Sequence, residues 1–285
     1  MPTSAMPTSA MSVIIPAHNE ATVIGRLLSG LLRDAEPGEI DVVVVANGCS
    51  DGTADVARGF LGVRVLETPV PSKREALRMG AAAVTAFPVL YVDADVELGT
   101  ADARALCATL ARDGILATAP ERRLPLADRP WLVRSYYAVW TRLPEVRAGL
   151  FGRGVIAVSE KGQARLDALP PVMADDLAAS LAFEPGERAV TEAASVVVHP
   201  PRTMGDLMRR RVRAVTSVAE LGEKSGQPAG QARTSVRDLI GMARAPRLLP
   251  HLAVFLAVTV LARARARKAV RRGDFSTWLR DESSR

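Results

Sequence analysis

Val89-Leu90-Tyr91-Val92-Asp93-Ala94-Asp95 is the stretch that decides the fold. Four apolar, largely β-favouring residues predict a short buried strand, and two carboxylates separated by one residue follow at its carboxyl end. Their side chains point the same way. In an open α/β sheet ligands bind outside the carboxyl ends of the strands, and a close carboxylate pair there is costly unless a cation or polar ligand compensates it. Mg²⁺ or Mn²⁺ carrying a diphosphate suits such a pair, because these ions take one or two protein carboxylates plus phosphate oxygens. Asp-x-Asp also occurs in ordinary surface turns, so its neighbours must carry the reading.

Working outward, Ser12 to Pro16 (SVIIP) predicts a first buried strand stopped by proline, with Asn19 as N-cap of a helix whose apolar face is Val23, Ile24, Leu27, Leu28 and Leu31. Asp41 to Ala46 (DVVVVA) is a second strand, apolar enough to be covered on both faces. The loop from Asn47 to Thr53 leaves its end; Ser50 or Asp51 can cap the next helix, and Gly48 and Gly52 let the backbone approach a ligand. A third strand, Val63 to Leu66, and a helix near Arg74 to Val84 precede the Asp-x-Asp strand. Alternating strand and helix argues a parallel sheet with helices on both faces.

The composition bounds the function. Of 285 residues 48% are hydrophobic, ample for a core, and the net charge is +6. That charge is mostly arginine with only 4% aromatic residues, and no nucleic-acid-binding motif emerges. The excess gathers near the C-terminus, which favours an anionic membrane surface as partner. Cys49 and Cys107 form neither a metal cluster nor a disulfide framework, and a reducing, cytoplasmic setting is expected. Residues 1–11 begin with a duplicated pentapeptide, without the charged and apolar regions of a signal peptide, and are expected to be a disordered leader.

The chain resembles the family 2 glycosyltransferases of GT-A fold, an α/β nucleotide-diphospho-sugar transferase fold with a Rossmann-like mixed sheet. The motifs that carry the resemblance are SVIIPAHNE (12–20), ANGCSDGTAD (46–55), Lys73 with Arg74, VDAD (92–95), FGRG (151–154) and ADD (174–176). They run over residues 12 to about 215. The resemblance implies inverting transfer of a sugar from a nucleoside diphosphate, with uracil as the expected base, to an acceptor hydroxyl. It places Pro16, Ala17 and Glu20 against base and ribose, Asp51 in the same donor region, Lys73 near the nucleotide, Asp93 near the ribose and metal, and Asp95 on Mg²⁺ or Mn²⁺. Asn47 stands where the family usually has an aspartate that pairs with uracil; an amide both donates and accepts, so base recognition can survive the change. Gly152 and Gly154 would line the donor-sugar pocket, or simply permit a tight turn.

A sugar hydroxyl needs a base. Asp175 and Asp176 precede Leu177, Ala178, Leu181 and Ala182, so both sit near a predicted helix start, where either could be a cap. The resemblance aligns Asp176 with the catalytic aspartate. His199, after the predicted strand Ser195 to Val198, is a candidate third metal ligand or a plain strand-end histidine; His18 and His251 show no convincing partners. Arg209, Arg210, Arg211 and Arg213 lie where processive relatives carry Gln-x-x-Arg-Trp. That signature is absent, so a single addition is expected, onto a cell-envelope glycan, a glycolipid or a secondary metabolite.

The expected organisation is a catalytic domain over 12–222, a linker over 223–231 and a helical, basic, membrane-associating segment over 232–285. Pro250 and His251 should interrupt the apolar stretch from Leu248 to Ala262, leaving a run too short to span a bilayer. Two other functions share these features: a nucleotidyltransferase on a similar sheet, and a non-catalytic nucleotide-sugar-binding membrane protein.

Overall fold

The computed structural model describes residues 11–168, 179–225 and 235–271. Seven strands form one mixed sheet: β1 (Met11–Ala17), β2 (Ile40–Asn47), β3 (Val63–Thr68), β4 (Val89–Val92), β5 (Ala117–Arg123), β6 (Val155–Val158) and β7 (Arg188–Val197), in the order β3-β2-β1-β4-β6-β5-β7. β1 pairs in parallel with β2 and β4, and β2 with β3; β6 runs antiparallel to both β4 and β5, while β5 and β7 are parallel. The parallel sheet expected from the first four strands is therefore one half of a mixed sheet. Chain order reverses between β1 and β4, and in α/β sheets ligands bind outside the carboxyl ends of the strands at such a switch point.

Local chemistry explains these elements. All seven residues of β1 and the last six of β2 are buried, as continuous apolar runs demand of a sheet covered on both faces. α1 (Ile24–Leu32) buries Ile24, Leu27, Leu28 and Leu31, a stripe of helical period. After α2 (Thr53–Arg58), α3 (Lys73–Ala83) starts on Ser72, whose hydroxyl accepts the Glu75 amide at 3.2 Å. Gly80 of α3 lies so close to β1 that an added Cβ would collide with Ile14 Cγ2. α4 (Thr100–Leu110) buries Ala103 and Leu106.

The chain divides into two compact units. The first gathers described residues 11–123, 150–168 and 182–198: the whole sheet, α1 to α4 and α7 (Glu160–Asp167). The second gathers 124–149, 179–181, 199–225 and 235–271, with α5 (Trp131–Trp140), α6 (Pro144–Ala148), α8 (Met204–Ser225), α9 (Val236–Ala243) and α10 (Leu249–Arg271). Within it α10 packs on α5 and α8, burying Leu252, Phe255, Val258, Ala262 and Ala266. Tyr136 of α5 stacks on Phe255 at 5.2 Å.

Several expectations need correction. Met11 is buried in β1, so order begins before Ser12; residues 1–10 lie outside the described ones. Asn19 is not an N-cap: α1 starts five residues later, and its flanking residue Val23 makes no side-chain cap bond. The strand expected over Ser195 to Val198 is the end of a longer one that starts at Arg188. α8 continues through Glu223–Ser225, where the linker was expected, and 226–231 lie outside the described residues. The contacts divide the chain within the segment expected as one domain over 12–222. Pro250 does not interrupt α10, because it falls in the first turn, where a missing N–H forfeits no helical bond.

Candidate active site

The ends of β1 and β2 form two loops that hold each other. Asn19 adopts φ 52°, the left-handed region an asparagine tolerates, and its Oδ1 accepts the Ser50 amide at 2.7 Å. The Glu20 amide donates to Thr53 Oγ1 at 2.7 Å and the Ala21 amide to Asp51 Oδ2 at 3.1 Å. Asp51 Oδ1 accepts the Thr53 amide at 3.1 Å and the Thr53 hydroxyl. Burial opposes ionisation of Asp51, yet the Thr53 hydroxyl with the Ala21 and Thr53 amides holds its carboxyl below the usual range. Asp51 is thus a fixed anion that clamps two loops. Gly48 turns the chain at φ +58°, and a Cβ there would strike Pro71 at 2.7 Å.

Asn47 lies beneath these loops, 2% exposed. Its amide nitrogen donates to the Ala17 carbonyl at 2.8 Å and the Val45 carbonyl at 3.4 Å, while the buried Oδ1 has no hydrogen-bond partner among the described residues. Reversing the amide would set its oxygen against two carbonyls, so this orientation is the one the surroundings select. His18 donates from Nδ1 to the Asn47 carbonyl at 2.6 Å. His18 therefore has a partner, contrary to expectation, and so does His251, whose Nδ1 lies 2.9 Å from Ser135 Oγ within the second unit.

At the end of β4 the two acids part company. Asp93 Oδ1 pairs with Lys73 Nζ at 2.7 Å, with both side chains only partly shielded. The Asp93 amide donates to the Gly154 carbonyl at 2.7 Å. Gly152 and Gly154 take φ +66° and +67°, and a Cβ on Gly154 would stand 2.5 Å from Val96 Cγ1 and 3.3 Å from Asp93 Oδ2. Between the glycines, Arg153 is fully buried and donates to the Pro120 carbonyl at 2.8 Å, pinning the turn to β5. Asp95, half-buried two residues on, forms no side-chain ion pair or hydrogen bond with a described residue.

The structure therefore brings Asp93, Lys73 and Gly154 together and gathers Pro16, Ala17, Glu20, Asn47 and Asp51 at the adjoining strand ends. His199 belongs to the second unit, and no three metal-ligating side chains cluster among the described residues. Asp175 and Asp176 lie outside the described residues. Sequence reasoning missed Asn19, His18 and Thr53 as the fasteners of the loops. The His-Asn-Glu run after a strand-ending proline held the signal, because an asparagine that follows such a stop is as suited to a left-handed turn as to a cap.

An α/β sheet with a clamped loop pair and an acid pair at its switch point is the arrangement that the resemblance to GT-A transferases led us to expect. The family model for glycosyl transferase family 2 matches residues 12–156, just over half of the chain, and the protein belongs to that family. Among curated proteins it is similar to a 4,4'-diaponeurosporenoate glycosyltransferase of Staphylococcus aureus, 34% identical over 100 residues. The match covers 33% of this chain and 26% of that protein, so the chain spans about a quarter of the curated relative's length. Among solved structures it is similar to the mannosyltransferase PcManGT from Pyrobaculum calidifontis, in complex with GDP-Man and Mn²⁺, with TM-score 0.62 and 23% identity over 95% of this chain and 85% of that one. Glucosyl-3-phosphoglycerate synthase from Mycobacterium tuberculosis, in complex with Mn²⁺, UDP and glucosyl-3-phosphoglycerate, gives TM-score 0.57 and 23% identity, covering 77% of this chain and 81% of that one.

Proposed function

We propose that the protein transfers one sugar from a nucleoside diphosphate, uridine diphosphate in the first instance, to an acceptor hydroxyl with inversion, using Mg²⁺ or Mn²⁺. The observation that carries this reading is the division of labour between the acids: Asp93 is balanced by Lys73, and Asp95 is left without a protein partner among the described residues. A half-buried carboxylate in that position suits a hard cation, and such an ion needs only one or two protein carboxylates when phosphate supplies the rest. Asp95 would hold the metal, with Asp93 beside it. When bound, the ion would neutralise charge on the departing diphosphate. The solved relatives were crystallised with Mn²⁺ and either GDP-Man or UDP, which supports both the metal and the donor class.

The remaining work falls to the chain's own groups. Asn47, tied to the Ala17 carbonyl at the end of β2, would shape the floor of the base site beneath the clamped loops. The clamped loops hold Pro16, Ala17 and Glu20 in a fixed shape for base and ribose, so little ordering is left to binding. Lys73 offers positive charge at the nucleotide, and Gly152 and Gly154 leave room for the sugar. Asp176, rather than Asp175, takes the acceptor proton during attack. The setting is the cytoplasmic face of a membrane, with the acceptor a glycolipid, envelope glycan or secondary metabolite. The test is incubation with UDP- and GDP-sugars and Mn²⁺: release of nucleoside diphosphate that chelation or Asp95→Ala removes upholds the reading. Pyrophosphate release would point to a nucleotidyltransferase, and donor binding without turnover to a sensor.

A further inference from the structure

α10 carries two apolar faces. The inner one is covered, as described. The outer one, Leu249, Leu256, Val260 and Leu261 with the small residues Ala253 and Ala257 among them, is 45–62% exposed at its four large side chains. A helix that is apolar all round is either buried or faces lipid. No charged residue interrupts the outer face between Leu249 and Leu261, a length of about 19 Å. Exposed cations stand at both ends: Arg244 and Arg247 before it, and Arg263, Arg265, Arg267 and Lys268 after it. From 235 to 268 the only acid is Asp238. Beside the first turn, the half-exposed Trp131 ring lies 6.0 Å from His251, and Ile240 of α9 adds another exposed apolar side chain to the same unit.

We propose that the outer face of α10, with Trp131 at its amino end, is an in-plane docking surface for an anionic bilayer. This rests on the membrane setting above and names the surface and its lipid. The charge pattern selects the partner: apolar side chains enter the acyl boundary while arginines at both ends meet anionic headgroups. Length alone does not decide orientation, since Pro246–Lys268 is long and apolar enough to cross. The inner face does decide it. Arg211 of α8 sits over the Tyr136 ring at 5.7 Å, and Tyr136 stacks on Phe255 near the middle of the apolar run. A spanning α10 packed this way would carry that guanidinium into the hydrocarbon, where a cation is expensive. Lying in the plane, the helix wets only its outer face with lipid and keeps Arg211 on the protein side.

The experiment is flotation of the full chain with vesicles of phosphatidylcholine, alone or mixed with phosphatidylglycerol. The protein should float with the mixed vesicles, less with phosphatidylcholine alone, and be released by high salt. Leu256→Glu combined with Val260→Glu, at exposed positions, should weaken partitioning about tenfold or more with an unchanged urea midpoint. In a Trp140→Phe/Trp278→Phe background, bilayer-depth quenching by brominated lipid should report Trp131 at a shallow level. Equal flotation of the double-glutamate variant, retention that only detergent reverses, or a lipid-free dimer abolished by that variant would each overturn the proposal. Absence of Trp131 quenching would remove that residue from the surface. Nucleotide binding with Mn²⁺, measured without lipid, separates the two readings: its loss sinks the transfer chemistry and leaves the surface standing, and normal binding without flotation does the reverse.

Discussion

Replacing Asn47 by the aspartate usual in the family should destabilise this protein. In the native chain the Asn47 amide donates to the carbonyls of Ala17 and Val45 at 2.8 and 3.4 Å, in a site 2% exposed. Asn47→Asp removes both donors, at about 0.5–1.5 kcal/mol each, and sets an anionic oxygen against two carbonyls away from water. The total should be about 3–5 kcal/mol at pH 8, in the range found when a buried charge is left uncompensated. Protonation relieves part of it, because a neutral carboxyl can donate once, to Ala17. The introduced carboxyl therefore has a folded-state pKa raised above its unfolded value. Its contribution is fully present below the unfolded pKa and is lost as pH rises through the folded one. The gap between variant and wild type should thus widen from pH 4.5 to pH 8, read as the urea midpoint of each. An unchanged midpoint at pH 8, or a gap that widens toward acid, would refute the assignment of the Asn47 nitrogen as the tie between β1 and β2.

Three further outcomes follow. Asp176→Asn should leave donor affinity intact and lower turnover by about 10²-fold or more, measured in steady state; the same pattern in Asp175→Asn with an active Asp176→Asn would exchange their roles. Gly154→Ala must hold a side chain at φ +67° with its Cβ 2.5 Å from Val96, so it should cost about 2–4 kcal/mol in urea unfolding and weaken donor binding by displacing Asp93, both absent for Gly52→Ala, whose Cβ meets nothing. The hydrogen-bonded Arg104 guanidinium holds Glu39 down to about 2, and a depressed carboxyl stabilises above its unfolded pKa and stops doing so as pH falls toward 2. Because Arg104 is exposed, Arg104→Met should lower the thermal midpoint only slightly at pH 7 and not at all near pH 2.

Much of the fold was legible because strand residues here report burial directly. The VVVV run of β2 and the stripe Ile24, Leu27, Leu28, Leu31 of α1 leave no other period to choose. The second half of the sheet was not legible from local patterns, because the antiparallel insertion of β6 between β4 and β5 is a long-range pairing that none of them encodes. Asn19 misled for a physical reason: the same short amide that favours helix caps also tolerates φ > 0, and only the distant Ser50 amide decides between them.

The candidate site shows the same limit at finer grain. The sequence places two acids on one side of a strand end and treats them as a pair, yet the folded chain makes them unequal. Lys73 reaches Asp93 across twenty residues of sequence, and Gly154 closes over the same residue from a strand that arrives later, so Asp93 is held from two sides. Asp95 receives neither. A carboxylate paired with a lysine, on a residue whose backbone amide is tied to the Gly154 carbonyl, is suited to orienting a ligand, and one without such a partner among the described residues is suited to binding a cation. The difference between their surroundings is therefore a tertiary one, set by α3 and the Phe151–Gly154 turn rather than by the motif itself.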